Sequence, residues 1–82
     1  MTVEVKLYGV LRRHRPADQP GVPHHPFTLV CQPGETARSV MIQLGLEDGM
    51  VAAAAINNQN VSLDTPLQPG DKLSLFPPSA GG

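Results

Sequence analysis

The residues of this sequence best placed to do chemistry are its last ones. Phe76-Pro77-Pro78-Ser79-Ala80-Gly81-Gly82 closes the chain on two prolines, two small residues and two glycines. Proline lacks a backbone donor and ends strand pairing, so Pro77 and Pro78 predict an extended, polyproline-like exit from any sheet before them. In that conformation the segment from Pro77 to Gly82 reaches roughly 20 Å, at about 3 Å per residue. A tail of that length can thread a partner's active site while the body of the domain stays outside. Lacking Cβ atoms, Gly81 and Gly82 can pass a narrow channel and adopt dihedrals closed to other residues, and they carry the terminal carboxylate with them. The competing expectation is a frayed end, because glycine loses more freedom on ordering than any other residue and a terminal pair packs no side chain.

The remaining reactive side chains form weaker patterns. His14, His24 and His25 invite a metal reading, but adjacent histidines diverge in an extended chain and no second pair stands at helical or hairpin spacing, so no metal site is expected. Cys31 is the lone cysteine; in a strand context it reads as a small packed hydrophobe rather than a reactive thiol. Ser39, Ser62, Ser74 or Ser79 could be combined with a histidine, yet nothing resembles a nucleophile elbow or an oxyanion loop. The segments Gln32-Pro33-Gly34-Glu35 and Gln68-Pro69-Gly70-Asp71 lack the glycine and lysine offsets of a phosphate loop and read as turns.

At 82 residues the chain has room for one small domain and not for an ordinary enzyme cleft, which argues against a self-contained catalyst. A single cysteine excludes an internal disulfide framework and fits a reducing cytoplasm. The opening Met1-Thr2-Val3-Glu4-Val5 alternates instead of building the basic and apolar blocks of a signal peptide. The longest apolar run, Val51 to Ile56, falls far short of the roughly 20 residues that span a bilayer, so no membrane partner is expected. Net charge is −1, and only Arg12, Arg13 and Arg15 cluster; they read as a solvated group beside a loop, not a nucleic-acid surface.

The elements that position the tail follow from periodicity. Val3, Val5 and Leu7 share one face of a strand, with Thr2, Glu4, Lys6 and Tyr8 on the other. Gly9 breaks it, and the proline-punctuated stretch that follows, with Pro16, Pro20, Pro23 and Pro26, predicts an irregular excursion. Phe27-Thr28-Leu29-Val30-Cys31 reads as the returning strand of a hairpin. Ala37, Val40, Met41 and Leu44 then recur at helical spacing, with Thr36 as N-cap and Gly45 as left-handed stop. Val51 to Ile56 predicts a strand ending at Asn57-Asn58, with Asn57 to Asn60 as a loose polar turn. A turn-rich link with at most a very short strand follows. Leu73 and Leu75 face inward on the last strand, with Lys72, Ser74 and Phe76 outward. One helix can cover only one face of such a sheet, so the expected class is α+β, a β-grasp (ubiquitin-like) fold with a mixed sheet.

A domain of this length whose last segment reads Leu67-Gln68-Pro69-Gly70-Asp71-Lys72-Leu73-Ser74-Leu75-Phe76 and then closes on Pro-Pro and Gly-Gly resembles the MoaD/ThiS family of sulfur carriers. The resemblance implies a β-grasp domain over residues 1–76 and an extended, flexible tail over 77–82. It further implies that Gly82 is adenylated with ATP and converted to a thiocarboxylate, with no permanently bound cofactor. The implied partners are an E1-like adenylyltransferase of the MoeB/ThiF type, which would do the activating, and a sulfur-accepting synthase, either a molybdopterin synthase large subunit or a thiazole synthase type. Phe76-Pro77-Pro78 favours the molybdopterin type, whereas the compact Leu44 to Val51 connection also suits thiamine-type carriers. In such a sheet the first and last strands are neighbours, so Tyr8 and Phe76 are expected together on the outer face as an exposed aromatic partner contact. A ubiquitin-like modifier conjugated through Gly82 would begin with the same activation, and an interaction module with an inert tail would share the fold; the sequence leaves both open.

Overall fold

The computed structural model describes residues 1–22 and 24–78. Its five strands are β1 (Thr2–Leu7), β2 (Phe27–Val30), β3 (Ala53–Ile56), β4 (Gln59–Val61) and β5 (Lys72–Phe76), with one α-helix, α1 (Ala37–Gln43). They form a single sheet in the order β2-β1-β5-β3-β4. β1 pairs antiparallel with β2 and parallel with β5, and β5 pairs antiparallel with β3. The two alternating segments therefore sit side by side at the centre. Their inward residues, Val3, Val5, Leu7, Leu73 and Leu75, are all essentially closed to solvent. Outward positions are polar except near the end of β5, as the period-two pattern requires.

The helix closes the core from one side with Ala37, Val40 and Met41, all buried. Its N-terminus is fixed by reciprocal bonds: the Ser39 amide donates to Thr36 Oγ1 at 3.2 Å, and the Thr36 amide donates to Ser39 Oγ at 2.8 Å. This satisfies one orphan donor of the first turn, and the Arg38 amide donates to the Leu63 carbonyl. Gly45 adopts φ +78°, allowing the Gly45 amide to reach the Ile42 carbonyl and the Leu46 amide to reach that of Met41. That pair of bonds is the standard left-handed helix stop, and buried Leu46 seals it against the core.

Two stretches differ from the sequence expectation. The segment after β1 is not irregular from its start: Gly9–His14 forms a 3-10 helix whose Leu11 is completely buried. The prolines that argue against regular structure begin only at Pro16, and Leu11 supplies the apolar anchor for two tight turns. Asn57 and Asn58 form a tight two-residue turn, both at positive φ (52° and 70°), rather than a loose four-residue loop. Gln59 and Asn60 belong to β4, pairing with Ile56 and Ala55. Asparagine reaches the left-handed region more cheaply than most residues, which suits the turn whose twist matches two antiparallel strands.

The excursion beyond Pro16 is irregular but tethered. Arg15 is no solvated cation: its guanidinium donates to the carbonyls of His25, Gln19 and Pro20 and lies 5.6 Å from the Phe27 ring centroid. A planar fork can serve several carbonyls at once, which a point charge cannot. Arg12 and Arg13 are exposed, as expected. Opposite the sheet's other end, buried Asp71 accepts from the Gln68 amide at 2.7 Å and from Asn57 Nδ2 at 3.1 Å, joining the turn before β5 to the β3–β4 turn.

Arg38 ties the helix to two loops through Asp64 (2.8 Å) and Asp48 (3.1 Å). Its hydrogen bond and charge hold the Asp64 carboxyl below the usual carboxylate range. A folded pKa below the unfolded one means that the stabilisation is full above the unfolded value of about 4 and is lost as pH falls through the folded value. Denaturant unfolding between pH 6 and pH 3 (roughly spanning the carboxylate range) should therefore show an acid loss in the parent chain that is smaller in Asp64→Asn and weakened by salt.

Candidate functional site

The register of the two central strands determines what surrounds the start of the tail. Leu7 pairs with Leu75 in the core, so the next residue on each strand turns outward. The Tyr8 amide donates to the Leu75 carbonyl at 3.1 Å, and the Ala52 amide donates to the Phe76 carbonyl at 2.8 Å. Tyr8 and Phe76 stack, with ring centroids 4.5 Å apart and planes 23° from parallel. The Lys6 ammonium sits 5.1 Å from the centre of the tyrosine ring, where the negative face of the ring attracts it. Because each ring covers part of the other, both are half-buried rather than exposed. This corrects the expectation of two freely exposed aromatics, while their adjacency is as expected.

Two residues at this corner escaped the sequence reading. Ala53 pairs with Phe76 across β3 and β5 and is exposed, so the apolar patch extends one strand further. Its signal was available in the parity counted back from buried Ile56, but four consecutive alanines conceal alternation. Gly9, read only as a strand breaker, lies against Pro77: a Cβ on Gly9 would stand 2.9 Å from Pro77 Cγ and 3.6 Å from its Cδ. Pro77 is half-buried by this contact and Pro78 is exposed. Ser79, Ala80, Gly81 and Gly82, the remaining tail residues singled out above, lie outside the described residues.

The other candidates do not gather into a site. Cys31 is buried beside the end of β2, its amide donating to the Met1 carbonyl at 2.7 Å. Burial foremost, then the charge of Glu35, pushes the thiol pKa up against a smaller opposing effect of the N-terminal ammonium, which leaves it protonated and a poor nucleophile at neutral pH. His24 and His25 meet edge to face at 4.8 Å, and among the described residues no group of three or more His, Cys, Asp or Glu could hold a metal ion. Ser39 is engaged in the helix cap, and Ser62 Oγ accepts from the Asp64 amide. A concavity of about 350 Å³ beside Arg12 and Arg13 and another of about 500 Å³ beside Ile42 both lie away from the aromatic corner. Among the described residues no helix is long and apolar enough to cross a membrane.

A mixed sheet with parallel terminal strands at its centre and a single helix against one face defines a β-grasp, ubiquitin-like domain. The chain belongs to the ThiS family, which it matches over residues 21–82. It is 48% identical over 46 residues to the molybdopterin synthase sulfur carrier subunit of Escherichia coli strain K12, a match spanning 56% of each chain. It is also similar to a chain in the complex of subunits 1 and 2 of the molybdopterin-converting factor from Helicobacter pylori 26695, at 27% identity and TM-score 0.58 with full coverage of both chains. SAMP1 from Haloferax volcanii shares the fold at 21% identity and TM-score 0.64, again over the full length of both.

The stacked pair should be energetically coupled. Tyr8→Ala and Phe76→Ala are each expected to destabilise the domain by about 1–2 kcal/mol, with a coupling of about 0.5–1.5 kcal/mol between them in a double-mutant cycle measured by denaturant unfolding. Additive effects would show that the rings merely share an address.

Proposed function

We propose that this protein is a sulfur carrier whose C-terminal glycine delivers sulfur during cofactor biosynthesis, and that its acceptor is the large subunit of a molybdopterin synthase. The observation that carries this reading is the family match, which runs through the tail to Gly82. A carboxylate is a poor electrophile. Attack of the Gly82 carboxylate on the α-phosphate of ATP, in the active site of an E1-like enzyme of the MoeB/ThiF type, would release pyrophosphate and leave a mixed anhydride with AMP. A sulfide equivalent then attacks the carbonyl carbon, AMP leaves with one of the original carboxylate oxygens, and the chain ends in a thiocarboxylate. Transfer of that sulfur to the acceptor, with water restoring the oxygen, returns the carboxylate.

On this reading the catalytic groups belong to the two partners, and the chain holds no permanent cofactor. Its own contributions are the reactive end at Gly82, a tail over 77–82 long enough to thread a partner's channel, and a docking face on the 1–76 body. The Tyr8–Phe76–Ala53 patch is an apolar stretch of the outer face next to the tail's point of departure. Aromatic anchors are enriched at interface centres. Preference for the molybdopterin pathway draws on the name of the Escherichia coli relative and on the Helicobacter pylori complex of two subunits. The work would be done in the cytoplasm, where ATP and the reducing conditions that preserve a thiocarboxylate coexist.

Two measurements test the proposal. Incubation with the cognate E1-like enzyme, ATP and a sulfur donor should replace one oxygen by sulfur in the intact mass, and a chain lacking Gly82 should stay unchanged. No replacement with an activator shown to be active on another substrate would refute the carrier reading, and a ladder of lysine adducts in cell extract would indicate protein conjugation in its place. Separately, Ala53→Asp, which removes no packing, should weaken binding to the synthase large subunit about ten-fold or more by placing a carboxylate in the patch. Unchanged affinity would exclude this face as the contact.

A further inference from the structure

Among the glycines at positive φ, Gly34, Gly45, Gly49 and Gly70 have open space where a Cβ would stand. Their dihedrals alone call for glycine. Gly21 is crowded by the flexible side chains of His25 and Arg15, which can give way. Gly9 differs from all of these: it has φ +57°, and the atom that a Cβ would meet at 2.9 Å belongs to a ring whose place is fixed by the backbone of Pro77. We propose that Gly9 is a positioning residue for the C-terminal tail, its bare backbone forming the seat on which Pro77 rests and from which the chain takes its course away from the sheet. This deepens the carrier reading and rests on it.

The ladder itself cannot set that course. Its last bond on this side is from the Ala52 amide to the Phe76 carbonyl, and Pro77 has no N–H with which to continue. What remains to orient the departing chain is contact with the segment beside it. That segment is rigidly held on both sides of Gly9: the Tyr8 amide is bound to the Leu75 carbonyl, the Tyr8 carbonyl accepts from the Leu11 amide, the Tyr8 ring stacks on Phe76, and Leu11 is fully buried. The seat therefore has little freedom to yield, and a Cβ added to it has to displace Pro77. A tilt of about 15° at Pro77 would move the end of an extended tail by about 5 Å. Attack on the α-phosphate requires reacting atoms within roughly 3–3.5 Å, so an error of that size at the base has to be undone before reaction.

The test uses the full-length protein. Gly9→Ala is expected to lower kcat/KM for thiocarboxylate formation by the cognate E1-like enzyme about five-fold or more in the parent chain, and less than about two-fold when Pro77→Ala has already removed the ring. Gly34→Ala, which imposes at least as much dihedral strain (φ +90° against +57°) with open space around it, should lower stability at least as much and leave the rate unchanged. A nitroxide attached through Gly82→Cys gives a readout independent of activity, since buried Cys31 does not compete for the label. Its broadening pattern on the amides of the body should change with Gly9→Ala and not with Gly34→Ala. Equal rate losses for Gly9→Ala in both backgrounds, equal losses for Gly9→Ala and Gly34→Ala, or an unaltered broadening pattern would overturn the proposal. The parent chain in the same rate assay reports separately on the carrier reading, because its failure to form a thiocarboxylate would leave the nitroxide experiment to decide the role of Gly9.

Discussion

The parallel pairing of β1 with β5 is the constraint on which the rest of the structure depends. It brings together the first and last strands, and hydrogen bonds flank it on both sides: the Glu4 amide to the Asp71 carbonyl where it starts, the Tyr8 amide to the Leu75 carbonyl where it ends. Parity does the rest. With Val5 opposite Leu73 and Leu7 opposite Leu75 in the core, Tyr8 and Phe76 have only the outer face available, and Gly9 and Pro77 become neighbours. A register slip of one residue would turn the leucines outward and bury the aromatics. The aromatic corner is thus a by-product of the packing of the core, which gives it a rigid floor without any side chain devoted to holding it.

The polar groups that the fold does bury are used as ties between loops. Asp71 takes bonds from Gln68 and Asn57, and the Lys72 amide returns one to Asn57 Oδ1. Asn57 is in this way both one of the two left-handed residues of a tight turn and a rung between two turns. Among the described residues no buried side-chain nitrogen or oxygen lacks a partner, as expected where each unmade bond would cost about 1–3 kcal/mol. Arg15 performs a related task for the excursion by spending its donors on backbone carbonyls, which no ladder could satisfy in a segment so rich in proline.

What the sequence made legible was whatever follows from period. Val3-Val5-Leu7 and Leu73-Leu75 announce two strands and their inner faces, and Ala37-Val40-Met41 with Thr36 and Gly45 announces a helix together with both of its ends. Those are local patterns backed by burial, and the structure keeps them. Less legible was whatever depends on a partner remote in sequence. Leu11 is a single apolar residue, and only the core beneath it makes Gly9–His14 a helix. β4 is a polar edge strand with no alternation to read; pairing with β3 creates it. Arg15 has the same side chain as Arg12 and Arg13, and its different role depends on three carbonyls that the loop happens to point inward. The aromatic corner fell between these cases: parity foretold the meeting of Tyr8 and Phe76, whereas their mutual shielding, and the small residues Ala53 and Gly9 around them, needed the register across strands.

The excursion also bears on how the molecule behaves in company. β2 is an outer strand of the sheet, and Thr28, lying between residues that bond to β1, turns its backbone groups away from the sheet toward solvent. Gln19 reaches over and donates its amide to the Thr28 carbonyl at 3.1 Å. An open strand edge invites another chain to lie down beside it and stay. By occupying that carbonyl with its own loop, the protein makes this flank a poorer template for strand addition, so that a segment too rich in proline to form a strand shields the strand beside it.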